Sequence, residues 1–109
     1  MHEVFENLNI LLGGDTDAIN EIARDFSMQM EVDLPQVITH IHNEQLTAAR
    51  KLAHKLKGSV MNFKLPEMLE AFKALEKALD ETDIATANNC LTVIQGELSK
   101  FNKLIKPED

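Results

Sequence analysis

Residues 84–105 read IATANNCLTVIQGELSKFNKLI, and apolar side chains recur there at Ile84, Ala87, Leu91, Ile94, Leu98, Phe101 and Ile105. The steps alternate between three and four, which keeps one narrow stripe on one side of an α-helix and marks the seam of a helix in a bundle. Just upstream of this segment, the polar run Asp80-Glu81-Thr82-Asp83 closes the preceding element and offers a cap for this one. Before it, Pro66 opens a helix that carries Leu69, Phe72, Leu75 and Leu79. Leu46, Ala49, Ala53, Leu56, Val60 and Phe63 define another helix with a single stripe to bury.

Further upstream, Ile19, Ile22, Phe26, Met30 and Leu34 repeat at helical spacing, and Val37, Ile38 and Ile41 continue the pattern past Pro35. Proline lacks an N–H and crowds the preceding turn, so the expectation is a bent helix from about 16 to 42, or two stacked ones. His2 to Leu12 reads as a short helix with Val4, Phe5, Leu8, Leu11 and Leu12 on one side. Gly13-Gly14 ends it, and Asp15 or Thr16 is placed to cap the next helix. Residues 106–109 are a polar tail. The connections are short, so successive helices pack antiparallel. The expected fold is all-α: one domain over 1–109, an up-down-up-down four-helix bundle (about 16–106) with an additional short N-terminal helix (about 2–12).

Composition agrees and narrows the function classes. A chain of 109 residues suits one core, and with no Trp or Tyr and five Phe that core must be mainly aliphatic. The net charge of −7 argues against nucleic acid or an anionic membrane as the general partner. A single cysteine, Cys90, excludes an internal disulfide framework and suits a reducing compartment; on the last helix it reads as a packing residue. No apolar run is long enough to span a bilayer, and no basic-then-apolar leader follows Met1. The expected location is cytoplasmic.

One helix breaks the overall charge pattern. From Gln45 to Pro66 there is no Asp or Glu, while Arg50, Lys51, Lys55, Lys57 and Lys64 all fall in this stretch. On a wheel of 100° per residue with His54 at zero, Leu56, Ala49, Val60 and Phe63 cluster at about 180–240°, so His54 faces outward. Arg50, Thr47, Met61 and Gly58 share its side, with Lys51 and Lys57 at its flanks. Such a surround favours an anion at the ring, keeps an imidazole nitrogen available as a nucleophile and attracts an acidic partner surface. Gly58 stands one turn after His54 on the same face. A helical glycine costs about 1 kcal/mol relative to alanine, and here it clears space beside the ring for a phosphoryl group or a partner. Lys57 is placed to steady phosphate oxygens, and phosphoryl transfer asks mainly for positioning and charge neutralisation.

The run Ala53-His54-Lys55-Leu56-Lys57-Gly58-Ser59 resembles the AHxLKGS motif of histidine-containing phosphotransfer (HPt) domains. The likeness extends to the helix bearing Phe26 and to Leu75-Glu76, where the family commonly has a Leu-Glu pair. The resemblance implies that His54 accepts a phosphoryl group from a receiver-domain aspartate and passes it to another receiver, with Lys57 as phosphate partner and Gly58 giving access. It implies response-regulator receiver domains, a hybrid sensor histidine kinase, or both, as partners. Mg²⁺ is expected on the receiver and no cofactor on this chain. The protein would act as a monomeric carrier rather than a turnover enzyme. With no glycine-rich nucleotide loop, no autokinase activity is expected.

Around this site Arg50, Lys51, Lys55 and Met61 are candidate docking residues. Ser59 either bonds within its helix or helps hold the site. Glu76 either orients the second imidazole nitrogen, if the next helix packs beside this one, or is a solvated surface residue; the solvated state is the default for a lone Glu. His2, His40 and His42 carry no ligand pattern: neither a Glu-x-x-His nor a His-x-x-x-His pair occurs. Two other functions fit the same residues. One is a helical-bundle adaptor that binds a partner through the basic His54 face without phosphate chemistry. The other is a chemotaxis-type HPt domain phosphorylated by a kinase.

Overall fold

The computed structural model describes residues 16–105, and among them there are four α-helices and no strands. They are α1 (Thr16–His42), α2 (Leu46–Val60), α3 (Pro66–Asp80) and α4 (Ile84–Leu104). The expected helix at 2–12 lies outside the described residues. Each helix packs on its neighbours in sequence, and α1 closes the ring against α4, while the backbones of the diagonal pairs, α1 with α3 and α2 with α4, stay farther apart. Short turns force this antiparallel order.

Local signals set the boundaries. Asp83 caps α4: its carboxylate accepts from Thr86 N–H at 3.1 Å and from Thr86 Oγ1 at 2.7 Å. Those two bonds hold the Asp83 carboxyl below its ordinary pKa. Pro66 begins α3, where a missing N–H costs nothing. α1 and α3 end in the same way: Gln45 N–H bonds His40 O at 2.8 Å with Glu44 at φ 60°, and Asp83 N–H bonds Ala78 O at 2.8 Å with Thr82 at φ 56°. These are Schellman stops made without the usual glycine.

Of the two outcomes expected at Pro35, the single helix over 16–42 is the one formed: α1 runs through the proline as one helix of 27 residues. Pro35 and Glu31, whose carbonyl loses its backbone donor, are both exposed, so water can satisfy that group. The stripe of α1 differs from the expected one. Ile22 is 36% exposed and Ala23 is wholly buried in its place, so the buried track runs Ile19, Ala23, Phe26, Met30, Leu34, Val37 and Ile41. α2 stops at Val60, three residues short of the end of its apolar pattern. Phe63 is nonetheless buried in the following turn, where it meets Phe26 at a ring-centroid distance of 4.7 Å and Phe101 at 5.4 Å. Phe26 and Phe101 are 5.2 Å apart, so one aromatic cluster ties α1, the α2–α3 turn and α4.

Thr82 is β-branched and left-handed, a conformation that strains L residues and that glycine adopts freely. Thr82→Gly should therefore raise unfolding stability by about 1 kcal/mol. A urea unfolding midpoint that fails to rise would show that the turn holds no such strain.

Candidate functional site

The outer face of α2 is made possible by its inner one. Ala49, Ala53, Leu56 and Val60 are all wholly buried, which turns His54 outward with its side chain 67% exposed. Gly58 is exposed one turn along, and a Cβ built there would meet nothing within 4 Å. The space beside the ring is open.

The inner flank of His54 is not solvent. Glu76 projects from α3, is 8% exposed, and takes His54 Nδ1 at 2.7 Å on Oε1 and Lys57 Nζ at 2.7 Å on Oε2. The reading of Glu76 as a solvated surface residue is thus corrected: leaving this carboxylate in water would require α3 to present a different flank to α2. Burial alone raises its pKa. Hydrogen bonds from Lys57 and then His54, with the charge of Lys57 and that of the ring when it is protonated, outweigh burial and bring the carboxyl below its ordinary value. An ionised carboxylate only accepts hydrogen bonds, so Nδ1 must carry the proton and a neutral ring keeps its lone pair on Nε2.

The remaining sequence candidates separate by flank. Arg50 Nε meets Asp80 of α3 at 2.6 Å, and Lys55 Nζ meets Asp33 of α1 at 3.4 Å. With Lys57 on Glu76, three of the five cations of the acid-free stretch are matched by acids from neighbouring helices. The uncompensated cationic field expected from α2 alone is therefore corrected to a largely neutralised surface. Lys51 stays exposed beside the turn bearing Gln45. Ser59 neither bonds within α2 nor touches His54; its hydroxyl donates to Gln29 Oε1 of α1 at 3.1 Å. Met61 is 63% exposed just past the end of α2.

Sequence reasoning missed two residues here. Met28 and Val32 are 64% and 61% exposed and adjoin Gln29 and Asp33, the α1 residues bonded to α2. Their signal was available as apolar residues off the buried track. Away from this face, Cys90 is buried as expected, and burial first, then the charge of Asp83, pushes its thiol up. Among the described residues, no cluster of three His, Cys, Asp or Glu side chains could hold a metal ion, and no helix is long and apolar enough to cross a membrane.

The family model for the Hpt domain matches residues 21–103, and the chain belongs to that family of phosphotransfer domains of two-component signalling. No curated protein and no solved structure matches it.

Because the carboxyl of Glu76 is held below its unfolded value, its contribution to stability is present above the unfolded pKa. It is lost as pH falls through the folded one. Glu76→Gln should remove this component. The stability difference between wild type and variant should then shrink as pH is lowered from about 6 to below about 4. Urea unfolding across that range checks it; a constant difference would show that the ionised form is not what the fold favours.

Proposed function

We propose that this chain is a histidine phosphotransfer protein of a two-component phosphorelay. His54 receives a phosphoryl group from a receiver-domain aspartate and passes it to another receiver. The observation that carries this reading is the asymmetry of the ring: Nδ1 is engaged by Glu76 at 2.7 Å, while Nε2 bonds no described residue on a side chain that is 67% exposed, one turn from the open space at Gly58. In the first transfer Nε2 bonds phosphorus as the aspartyl oxygen–phosphorus bond breaks, and that bond's electron pair returns to the carboxylate. Mg²⁺ held by the receiver neutralises the transferring oxygens, and the chain needs no cofactor of its own. Lys57 supplies a cation bonded to the same carboxylate as the ring, and Gly58 the room. The protein is a carrier that ends each cycle unchanged, a cytoplasmic monomer without autokinase activity.

The docking face in this reading is α1 with α2. Met28, Val32 and Met61 give it apolar contacts. Lys51, Arg50 and Lys55 are exposed cations of that face, the last two each held by an acid of this chain. A receiver surface with an apolar centre fits a face whose charges are mostly internally matched.

Incubation with a phosphorylated receiver should label the wild type and leave His54→Gln at background. Equal labelling of both would sink the proposal, and a bundle that only docks a partner would bind equally well with either side chain. Gly58 offers a finer measurement. Gly58→Ala and Gly96→Ala both replace exposed helical glycines with open space around them, so each should gain roughly 0.5–1 kcal/mol of stability. Gly58→Gln should slow transfer by about tenfold or more with the helices intact, while Gly96→Ala should leave it unchanged. Full transfer rates in Gly58→Gln would show that the glycine does not serve access.

A further inference from the structure

With His54 read as the phosphoryl carrier, the fate of its second ring nitrogen acquires a chemical consequence. When the Nε2–phosphorus bond breaks, the bonding pair returns to the ring while the phosphoryl group goes to a carboxylate or to water. If Nδ1 still bears its proton, the ring departs as neutral imidazole. If that proton has gone, the ring must depart as an imidazolate anion, a much poorer leaving group. The proton on Nδ1 therefore decides how readily the loaded protein unloads.

Glu76 is built to hold that proton. Its Oε1 lies 2.7 Å from Nδ1 and its Oε2 2.7 Å from the Lys57 ammonium, and at 8% exposure it cannot turn to water without giving up both partners. Of the other charges on and beside α2, Arg50 pairs with Asp80 of α3, Lys55 with Asp33 of α1 and Lys73 of α3 with Glu70, while Lys51 is exposed to solvent. Among the described residues, Glu76 is the one carboxylate bonded to the ring.

We propose that Glu76 sets the lifetime of phosphorylated His54 by retaining the Nδ1 proton, and that Lys57 acts on the phosphoryl group through Glu76 rather than by its own contact with phosphate. A carboxylate shared with an ammonium pulls less strongly on the imidazole proton, so Lys57 moderates the hold. Glu76 is thus a positioning residue with control over unloading, and Lys57 adjusts it. The inference rests on His54 being the phosphoryl carrier, but not on any receiver.

Phosphoramidate loads histidine chemically, so the test runs on the full chain without a protein donor. Failure of a receiver to label would then count against the relay alone. Loss of phosphohistidine is followed by phosphorus NMR from about pH 5 to about pH 9. Glu76→Gln should lengthen the lifetime about threefold or more at the alkaline end and converge with wild type at the acid end, where solvent protonates Nδ1 in both. Nitrogen-15 spectra of the unloaded proteins should show the Nδ1–H tautomer in wild type and a mixture in Glu76→Gln. Lys57→Met should shorten the lifetime, and in the Glu76→Gln background it should have no effect. An unchanged or shorter lifetime in Glu76→Gln, a lifetime ratio independent of pH, or no loading of His54 overturns the role of Glu76. A Lys57→Met effect that persists without the Glu76 carboxylate overturns the indirect role of Lys57.

Discussion

A carboxylate taken out of water must be given partners, and that requirement organises this protein around Glu76. An unpaired charge in its position would cost several kcal/mol. α2 meets the demand with two donors spaced three residues apart, His54 and Lys57, which share a helix face. Satisfying both oxygens at 2.7 Å fixes how α2 is turned against α3. The same contact fixes the imidazole tautomer and leaves Nε2 unbonded on an exposed side chain. Structural need and chemical readiness are met by one pair of hydrogen bonds.

Polar stitching recurs at the other seams in a weaker form. Ser27 on α1 donates to Asn102 on α4, and Asp33 on α1 accepts from Lys55 on α2. Glu76 completes the α2–α3 seam, so the three buried polar residues serve three different helix pairs. The α3–α4 seam has no buried polar residue of this kind; small and apolar side chains, among them Ala71, Ala74, Cys90 and Val93, line the groove between the two helices. No buried side-chain polar atom among the described residues lacks a partner, as a cooperative core requires. The pairing also mutes the basic character of α2. What remains around His54 is an accessible ring on a surface whose charge is mostly matched, suited to short-lived docking rather than tight electrostatic capture.

The helices themselves were legible because periodicity is a local property. The seam from Ile84 to Phe101, the cap at Asp83 and the start at Pro66 all depend on residues within a turn or two of one another. His54, Lys57 and Gly58 were legible for the same reason, lying within one turn and a fraction of one helix. Errors arose where the deciding contact crosses between helices. The acid-free stretch of α2 looked cationic because Asp33, Glu76 and Asp80 answer it from other helices, far along the chain. Glu76 follows the fully buried Leu75 at the edge of a buried stripe, and no local rule states whether that edge meets solvent, α2 or α4. Ile22 and Ala23 show the same limit on a smaller scale: both sit near the stripe of α1, and rotation of a long helix against its neighbours chose the smaller side chain.

The placement of Gly58 on a helix rather than in a loop explains how the site can be both open and well defined in geometry. A loop would give access more cheaply, but its side chains would wander relative to one another. A helix fixes the relation of His54 to Lys57 through the backbone, at the cost of filling the space around each residue with neighbours one turn away. Glycine leaves open space at the position one turn after His54. The loss in helix propensity is borne by a segment whose four inner residues are completely buried, so α2 is held by tertiary packing more than by its intrinsic preference to coil. That is also why α2 tolerates an N-terminus without a side-chain cap at Gln45. A helix anchored this firmly on one side can give up stability on the other, and it gives it up one turn after the exposed His54.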